Sequence, residues 1–258
     1  MTLLASPTLA QEGEADLAKQ LANPIAALIS VPIQMNYDTD FGLDDKGSIL
    51  RTNVQPVIPI SLNEDWNLIS RTILPVVYAE GPAEGISSEF GIGDVTQSFF
   101  FSPVEPVGGN WILGFGPVAG IPTGTDDLFR SKQLSLGPTF VGLRQDHIGE
   151  GTLTWGLLAN HLWKVAGSDS RPDVNSTFLQ PFLAYTLKTG TTFSLITETT
   201  YDWTSEEWSV PINAGISQLV TFGEQPVQFQ LAGRWYADTV PNGPEWGLRF
   251  TITLLFPK

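Results

Sequence analysis

Leu248-Arg249-Phe250-Thr251-Ile252-Thr253-Leu254-Leu255-Phe256 sets Leu248, Phe250, Ile252, Leu254 and Phe256 on one side of the chain and Arg249, Thr251, Thr253 and Leu255 on the other. A repeat of two marks a β-strand, because successive side chains leave opposite faces. The pattern suits a strand that meets lipid with one face and a wet lumen with the other. Only Pro257 and Lys258 follow. An open edge in hydrocarbon would leave backbone N–H and C=O groups unsatisfied, at several kcal/mol each. This strand is therefore expected to pair with the first strand and close a barrel.

Composition narrows the alternatives. No Gly/Pro/Ser-rich linker divides the 258 residues, which read as one domain. Hydrophobic residues make up 42% and charged residues only 16%, too thin a charged shell for an ordinary soluble surface. No run of about 18 apolar residues occurs, which excludes a transmembrane helix and leaves a soluble sheet protein or a membrane barrel. The absence of cysteine removes disulfides, thiolate catalysis and zinc–thiolate sites. A net charge of −14 argues against nucleic acid as a partner. More than half of the 27 acidic residues fall in loops at one end of the expected barrel; the opposite turns hold Glu64, Asp65, Glu105, Asp146, Glu150 and Glu224. Those loops are either a solvated set or an acidic mouth that concentrates divalent cations at an anionic lipid surface.

Residues 1–10, ending Thr8-Leu9-Ala10, resemble the end of a truncated secretory signal, with the mature chain beginning near Gln11. Residues 11–29 read as an N-terminal helical segment, with Leu17, Leu21, Ile25, Leu28 and Ile29 at helical spacing around Asn23-Pro24. It is expected at the rim or inside the lumen. The barrel occupies 30–258. Strand one sets Val31, Ile33, Met35 and Tyr37 against Pro32, Gln34, Asn36 and Asp38, and the alternation then recurs to give about twelve strands. Short turns such as Asn63-Glu64-Asp65 and Lys188-Thr189-Gly190 alternate with longer acidic loops, including Ala79 to Phe90. Prolines at 32, 56, 59, 75, 117, 138, 181 and 211 each lack a ladder donor, so bulges or local strain must absorb them.

Aromatic placement separates the two readings. Trp66, Trp111, Trp155 and Phe193 follow the short turns, whereas Tyr37, Tyr78, Trp163, Tyr201, Trp208, Trp235 and Trp246 stand beside the long loops. Two aromatic belts fit two membrane interfaces; a soluble sandwich would bury these rings mid-strand. The fold class is thus all-β, a transmembrane antiparallel up-and-down barrel with a short N-terminal helix.

Several phrases carry a family resemblance: Gly91-Ile-Gly-Asp94, Gly114-Phe-Gly-Pro-Val-Ala-Gly-Ile-Pro-Thr-Gly124, Gln180-Pro-Phe-Leu-Ala-Tyr185, Glu198-Thr-Thr-Tyr-Asp-Trp203 and Gly223-Glu-Gln-Pro-Val227. From Pro24 onward the chain resembles outer-membrane transporters associated with the meta-cleavage pathway of phenol degradation. The resemblance implies a Gram-negative outer-membrane barrel, and more weakly a transport role.

The inward register collects the pore-lining candidates. Arg51, Arg71, Arg234 and Arg249 lie on strands that become neighbours on closure; Asp94 and Glu198 come from further round the wall, with Asp202 at the rim above Glu198. Either an arginine side faces an acidic side across an open pore, or the charges pair directly and plug the lumen. The expected function is passive uptake of small molecules, aromatic or other small organic solutes among them. The expected partners are outer-membrane lipids, the barrel assembly machinery, small-molecule solutes and divalent cations at the acidic loops, with no cofactor. A closed structural or interaction barrel is the alternative. A lipid hydrolase using His161 with Ser168 or Ser170 comes third, because nothing specifies the pairing that such a nucleophile needs. Asp38, Asp40, Asp44 and Asp45 form a candidate calcium loop that lacks the spacing of a known site.

Overall fold

The computed structural model describes residues 7–42, 46–83 and 86–257. A single helix, α1 (Pro7–Leu21), precedes sixteen strand segments. These are β1 (Ile29–Phe41), β2 (Gly47–Val54), β3 (Val57–Ser61), β4 (Trp66–Ala83), β5 (Ile86–Ile92), β6 (Val95–Pro103), β7 (Ile112–Ile121) and β8 (Gln133–Ile148). There follow β9 (Gly151–Gly167), β10 (Asn175–Leu187), β11 (Thr191–Thr197), β12 (Thr199–Asp202), β13 (Glu207–Ser209), β14 (Pro211–Phe222), β15 (Gln225–Tyr236) and β16 (Trp246–Phe256). Four pairs, β2/β3, β5/β6, β11/β12 and β13/β14, are single strands with a short break, so the antiparallel wall has twelve strands. β16 pairs with β1 from Ile29 opposite Phe256 to Thr39 opposite Trp246, and this ladder closes the barrel.

Proline accounts for most of the breaks. A proline supplies no ladder donor, and its neighbours must find other partners. The wall gives way at Gln55-Pro56; at Gly93, whose N–H donates to Pro75 O at 2.9 Å; and at Glu198, whose N–H donates to Pro211 O at 3.2 Å. Pro117 and Pro138 instead face each other across β7 and β8. The stretch from Ala79 to Phe90, expected as a loop, is a hairpin of β4 and β5 in which Tyr78 pairs with Phe90, although residues 84 and 85 lie outside the described residues. Strand pairing satisfies the backbone of a projecting segment better than a bare loop would.

The outer face is apolar and carries the rings. Tyr37, Tyr78, Trp155, Trp163, Phe193, Trp208, Trp235 and Trp246 are all exposed. Neighbouring strands bring rings together, as with Trp111 and Trp155 at 5.3 Å near the short turns and Tyr201 and Trp208 at 4.6 Å near the long loops.

The inner face is divided by height. Towards the short turns it is apolar: Ile69, Phe100, Val141, Leu143 and Leu158 cluster around Ile25, while Leu219 and Leu255 cluster with Ala18, Ala26 and Leu28. The N-terminal chain therefore fills this end. Helix α1 ends at Leu21, short of the expected Ile29, because Pro24 disfavours helical geometry in the residue before it. Asn23 Oδ1 instead accepts the N–H of Ile25 at 3.0 Å, a turn that sends Ile25 and Leu28 into different parts of the wall. Gly114 makes room: a Cβ there would stand 3.0 Å from Ile25 Cδ1. The helix lies across the short-turn rim, where Glu14 Oε1 accepts the N–H of Thr221 and the carbonyl of Lys19 accepts from Gln145. Of the expected signal remnant, residues 1–6 lie outside the described residues.

Candidate pore and its charged lining

Above the apolar floor, the inward face of β14, β15, β16 and β1 carries polar side chains. Register places Asn36 of β1 beside Arg51 of β2 on one flank and Arg249 of β16 on the other. One level towards the long loops, Gly247 of β16 lies between Asp38 and Arg234. Because Gly247 has no Cβ, which would run into Asp38 Oδ1, the two charges meet across the intervening strand. Arg234 Nε donates to Asp38 Oδ1 at 2.8 Å, and both side chains are almost fully buried, 5% and 1% exposed. Tyr236 OH donates to Asp38 Oδ2 at 3.0 Å, and Arg234 Nη1 donates to Asn36 Oδ1 and Asn213 Oδ1 at 3.1 and 2.8 Å.

Glu198 joins the same network. It occupies the break between β11 and β12, where the chain is free of the ladder, and its Oε2 accepts from Arg249 Nη2 at 2.6 Å and lies 3.6 Å from Arg234 Nη1. Arg249 Nε also donates to Asn36 Oδ1 at 2.7 Å. Two guanidinium groups and two carboxylates thus balance in one cluster. The arrangement of an arginine side opposed to an acidic side does not occur, since Glu198 and Asp38 reach the arginines directly. The reason is one of order round the wall: β11, β14, β15, β16 and β1 are successive neighbours. Buried ions of opposite sign gain most when paired and hydrogen-bonded, and lose heavily when left alone.

The remaining expected residues lie elsewhere. Arg71 stands lower, opposite Val57 of β3, and donates from Nη2 to Gln55 Oε1 at 3.2 Å. Neither Arg51 nor Arg71 has a carboxylate within 4.0 Å among the described residues. Asp94 meets none of the arginines. Its Oδ1 accepts the N–H of Gly124 at 2.9 Å, and its Oδ2 accepts the N–H and Oγ–H of Ser131 at 2.7 and 2.6 Å. Both ends of the β7–β8 loop are thereby pulled onto the β5–β6 break. Phe129 of that loop packs on Ile49, Val77 and Ala79, so the loop folds over the wall at the long-loop end. Asp202 caps a turn, accepting from the N–H groups of Thr204 and Ser205.

A second loop, between β9 and β10, completes this cover. The buried Gln133 donates to Ser168 O and Pro172 O at 3.0 and 3.1 Å and accepts from Val174 N–H at 2.9 Å. Arg171 donates to Asp127 O in the first loop. Arg130 and Lys132 surround the Asp127 carboxylate and hold it at about pKa 2, below the usual carboxylate range. Lys164 pairs with both Asp169 and Asp173 of the β9–β10 loop.

Sequence reasoning placed Asn36 and Asp38 on the inward face, gave Asn36 no role and Asp38 only a place in a candidate calcium loop, and missed Asn213 and Tyr236. The signal for Tyr236 was its spacing of two from Arg234. Asp38 does not belong to a calcium loop, because its carboxylate is buried against Arg234; Asp44 and Asp45 lie outside the described residues. Among the described residues no group of three or more His, Asp or Glu side chains is placed to hold a metal ion. His161 does not meet either serine expected to pair with it: its ring nitrogens face Thr177 Oγ1 at 2.7 Å and Asn175 Oδ1 at 3.0 Å, while Ser168 and Ser170 bond each other.

No known protein-family profile and no curated protein matches the chain. Among solved structures, the barrel is similar to the crystal structure of an outer membrane channel from Pseudomonas putida F1, with a TM-score of 0.67 and 17% identity over 90% of this chain and 96% of that one. At that identity the likeness is one of fold.

Proposed function

We propose that the protein is an outer-membrane channel for small solutes, closed at its short-turn end by its own N-terminal segment. The observation that carries the reading is the inversion of the barrel: aromatic and aliphatic side chains outside, paired ions and amides inside. A soluble barrel would have no use for an exposed apolar belt of this extent. β4, β8 and β9, of 18, 16 and 17 residues, exceed the roughly 9 to 11 residues that cross a bilayer, so their ends project beyond it. By the usual orientation of such barrels the short turns face the periplasm and the long acidic loops face outwards. Lipids surround the wall, the barrel assembly machinery inserts it, and divalent cations gather at the exposed loop carboxylates.

The solutes are small, aromatic or other organic molecules. Their path runs past the Arg234–Arg249 cluster and is stopped by Ile25 and Leu28. Single-channel conductance in a planar bilayer tests this. The full chain should conduct weakly or in brief steps, and Ile25→Asp, which places a charge among buried apolar side chains, should open it. An Ile25→Asp protein that inserts and stays silent would refute the channel. That outcome would favour the second reading, a closed barrel working through its loops, which the filled floor supports.

A further inference from the structure

The charged lining pairs Arg234 and Arg249 but leaves Arg51 and Arg71 without a carboxylate at ion-pair distance among the described residues, and of these two it is Arg71 that lines a cavity at the floor. Asp38 and Glu198 neutralise Arg234 and Arg249, whereas Arg71 sits at the floor with one amide oxygen as its hydrogen-bond partner. Glu198 is the carboxylate whose field reaches it, from beyond ion-pair distance. A guanidinium has five N–H donors in a planar fork, and Gln55 Oε1 takes one. Gln55 is itself 7% exposed, and its backbone N–H donates to Pro32 O at 2.8 Å, which anchors the chain from which its side-chain oxygen meets the fork.

Arg71 and Gln55 line a cavity of about 140 Å³ whose opposite side is the N-terminal segment. Leu21, Pro24, Ala26, Leu28 and Val57 give that cavity apolar surface. A second cavity of about 160 Å³ adjoins it, sharing Leu21, Pro24 and Gln228, and adds Phe182 and Ile196. An apolar cavity of about 150 Å³ is large enough for one benzene ring. The chemistry is thus asymmetric: one planar cation without an ion-pair partner at one edge, the aliphatic Leu21–Leu28 segment and Val57 on another side, and the neutral polar groups of Gln20, Asn23, Ser30, Gln228 and Thr253 between them.

We infer that Arg71, supported by Gln55, is the headgroup site for a small organic monocarboxylate whose apolar body rests on the Leu21–Leu28 segment. This deepens the channel reading by naming a class of solute. A carboxylate matches the fork with two parallel N–H···O bonds and cancels its single charge. Inorganic phosphate fits less well, since a second negative charge would find no second cation and the aliphatic wall would be wasted on it. The occupant touches the segment that closes the floor, so binding and closure are coupled at Leu21, Pro24 and Leu28.

The test is equilibrium calorimetry on the detergent-solubilised full chain, titrated with sodium benzoate, benzyl alcohol and inorganic phosphate at constant ionic strength. Benzoate should saturate, with benzyl alcohol and phosphate at least about tenfold weaker, because loss of a charge-assisted bidentate pair removes that much or more. Arg71→Gln should weaken benzoate at least about tenfold and leave benzyl alcohol unchanged. Arg71→Lys, which keeps the charge and loses the fork, should fall between. Gel mobility of unboiled samples verifies that each variant is folded, and Arg71→Lys decides alone if Arg71→Gln is not. Absence of benzoate binding, affinity unchanged by loss of the fork, or phosphate binding equal to benzoate would each overturn the site. A silent bilayer of inserted Ile25→Asp protein with intact benzoate binding by the full chain would sink the channel and leave the site standing; conductance without benzoate binding would do the reverse.

Discussion

The two ends of the lumen are built with opposite chemistry. At the short-turn end, Ile25 and Leu28 are buried against Phe100, Leu158, Leu219 and Leu255, and the closure is held by apolar contact. At the long-loop end, Asp94, Gln133 and Asp127 fasten two loops by hydrogen bonds and ion pairs around a single aromatic contact, Phe129. Apolar burial ignores salt and pH, whereas exposed ion pairs are screened by one and titrated by the other. The floor should therefore yield to a change of side chain, and the cover to a change of solution. Between them the Asp38–Arg234 pair combines the burial of the floor with the chemistry of the cover.

The largest effect is expected where that combination is broken. Asp38→Ala leaves Arg234 buried without its closest carboxylate, a loss of about 3 to 5 kcal/mol. Heat-modified gel mobility against temperature should show the folded band lost earlier; an unchanged profile would mean that water or Glu198 takes over the charge. Next comes Gly114→Leu, which crowds the space where Ile25 Cδ1 stands and should eject the segment from the floor at a cost of about 1 to 3 kcal/mol. Limited proteolysis near Ala22 reads this out, and continued protection would show that the floor repacks.

A smaller effect is expected from Asp94→Ala, which leaves the N–H groups of Gly124 and Ser131 without their acceptor, about 2 kcal/mol local to the cover. Hydrogen exchange should rise in residues 122–132 and stay unchanged in 18–28; exchange rising in both would erase the distinction between the ends. The smallest concerns Asp127. Its carboxylate is depressed to about pKa 2 by Lys132 and Arg130, so its contribution is complete above the ordinary Asp value near 4 and is lost as pH falls through about 2. Fast exchange in the 122–132 loop should therefore appear between about pH 4 and pH 2, and earlier in high salt.

The twelve-strand wall could be read from alternation because lipid and lumen impose opposite demands on adjacent residues, and every strand carries that demand locally. The belts were readable for the same reason: Trp163, Trp235 and Trp246 are placed by distance from the loops, a property of chain position. The candidate site was only half readable. Parity put Arg234, Arg249, Glu198 and Asp38 indoors, yet parity is silent about which inward residues touch. Asp94 shows the limit, since the same parity led it to a loop anchor rather than to a cation.

By itself, then, the sequence determined the barrel, its closure, the polarity of its two faces and the identity of its inward charges, all consequences of a two-residue repeat. Tertiary structure alone decided who pairs with whom. Gly247 opens the gap through which Asp38 meets Arg234, the Glu198 break frees a carboxylate to swing towards Arg249, and Pro24 ends the helix so that Ile25 can reach beside Gly114. Each of these depends on the absence of a side chain or a ladder bond at one position and on a partner far away in the chain. No local pattern encodes such a coincidence, because it exists only once the twelve strands have closed.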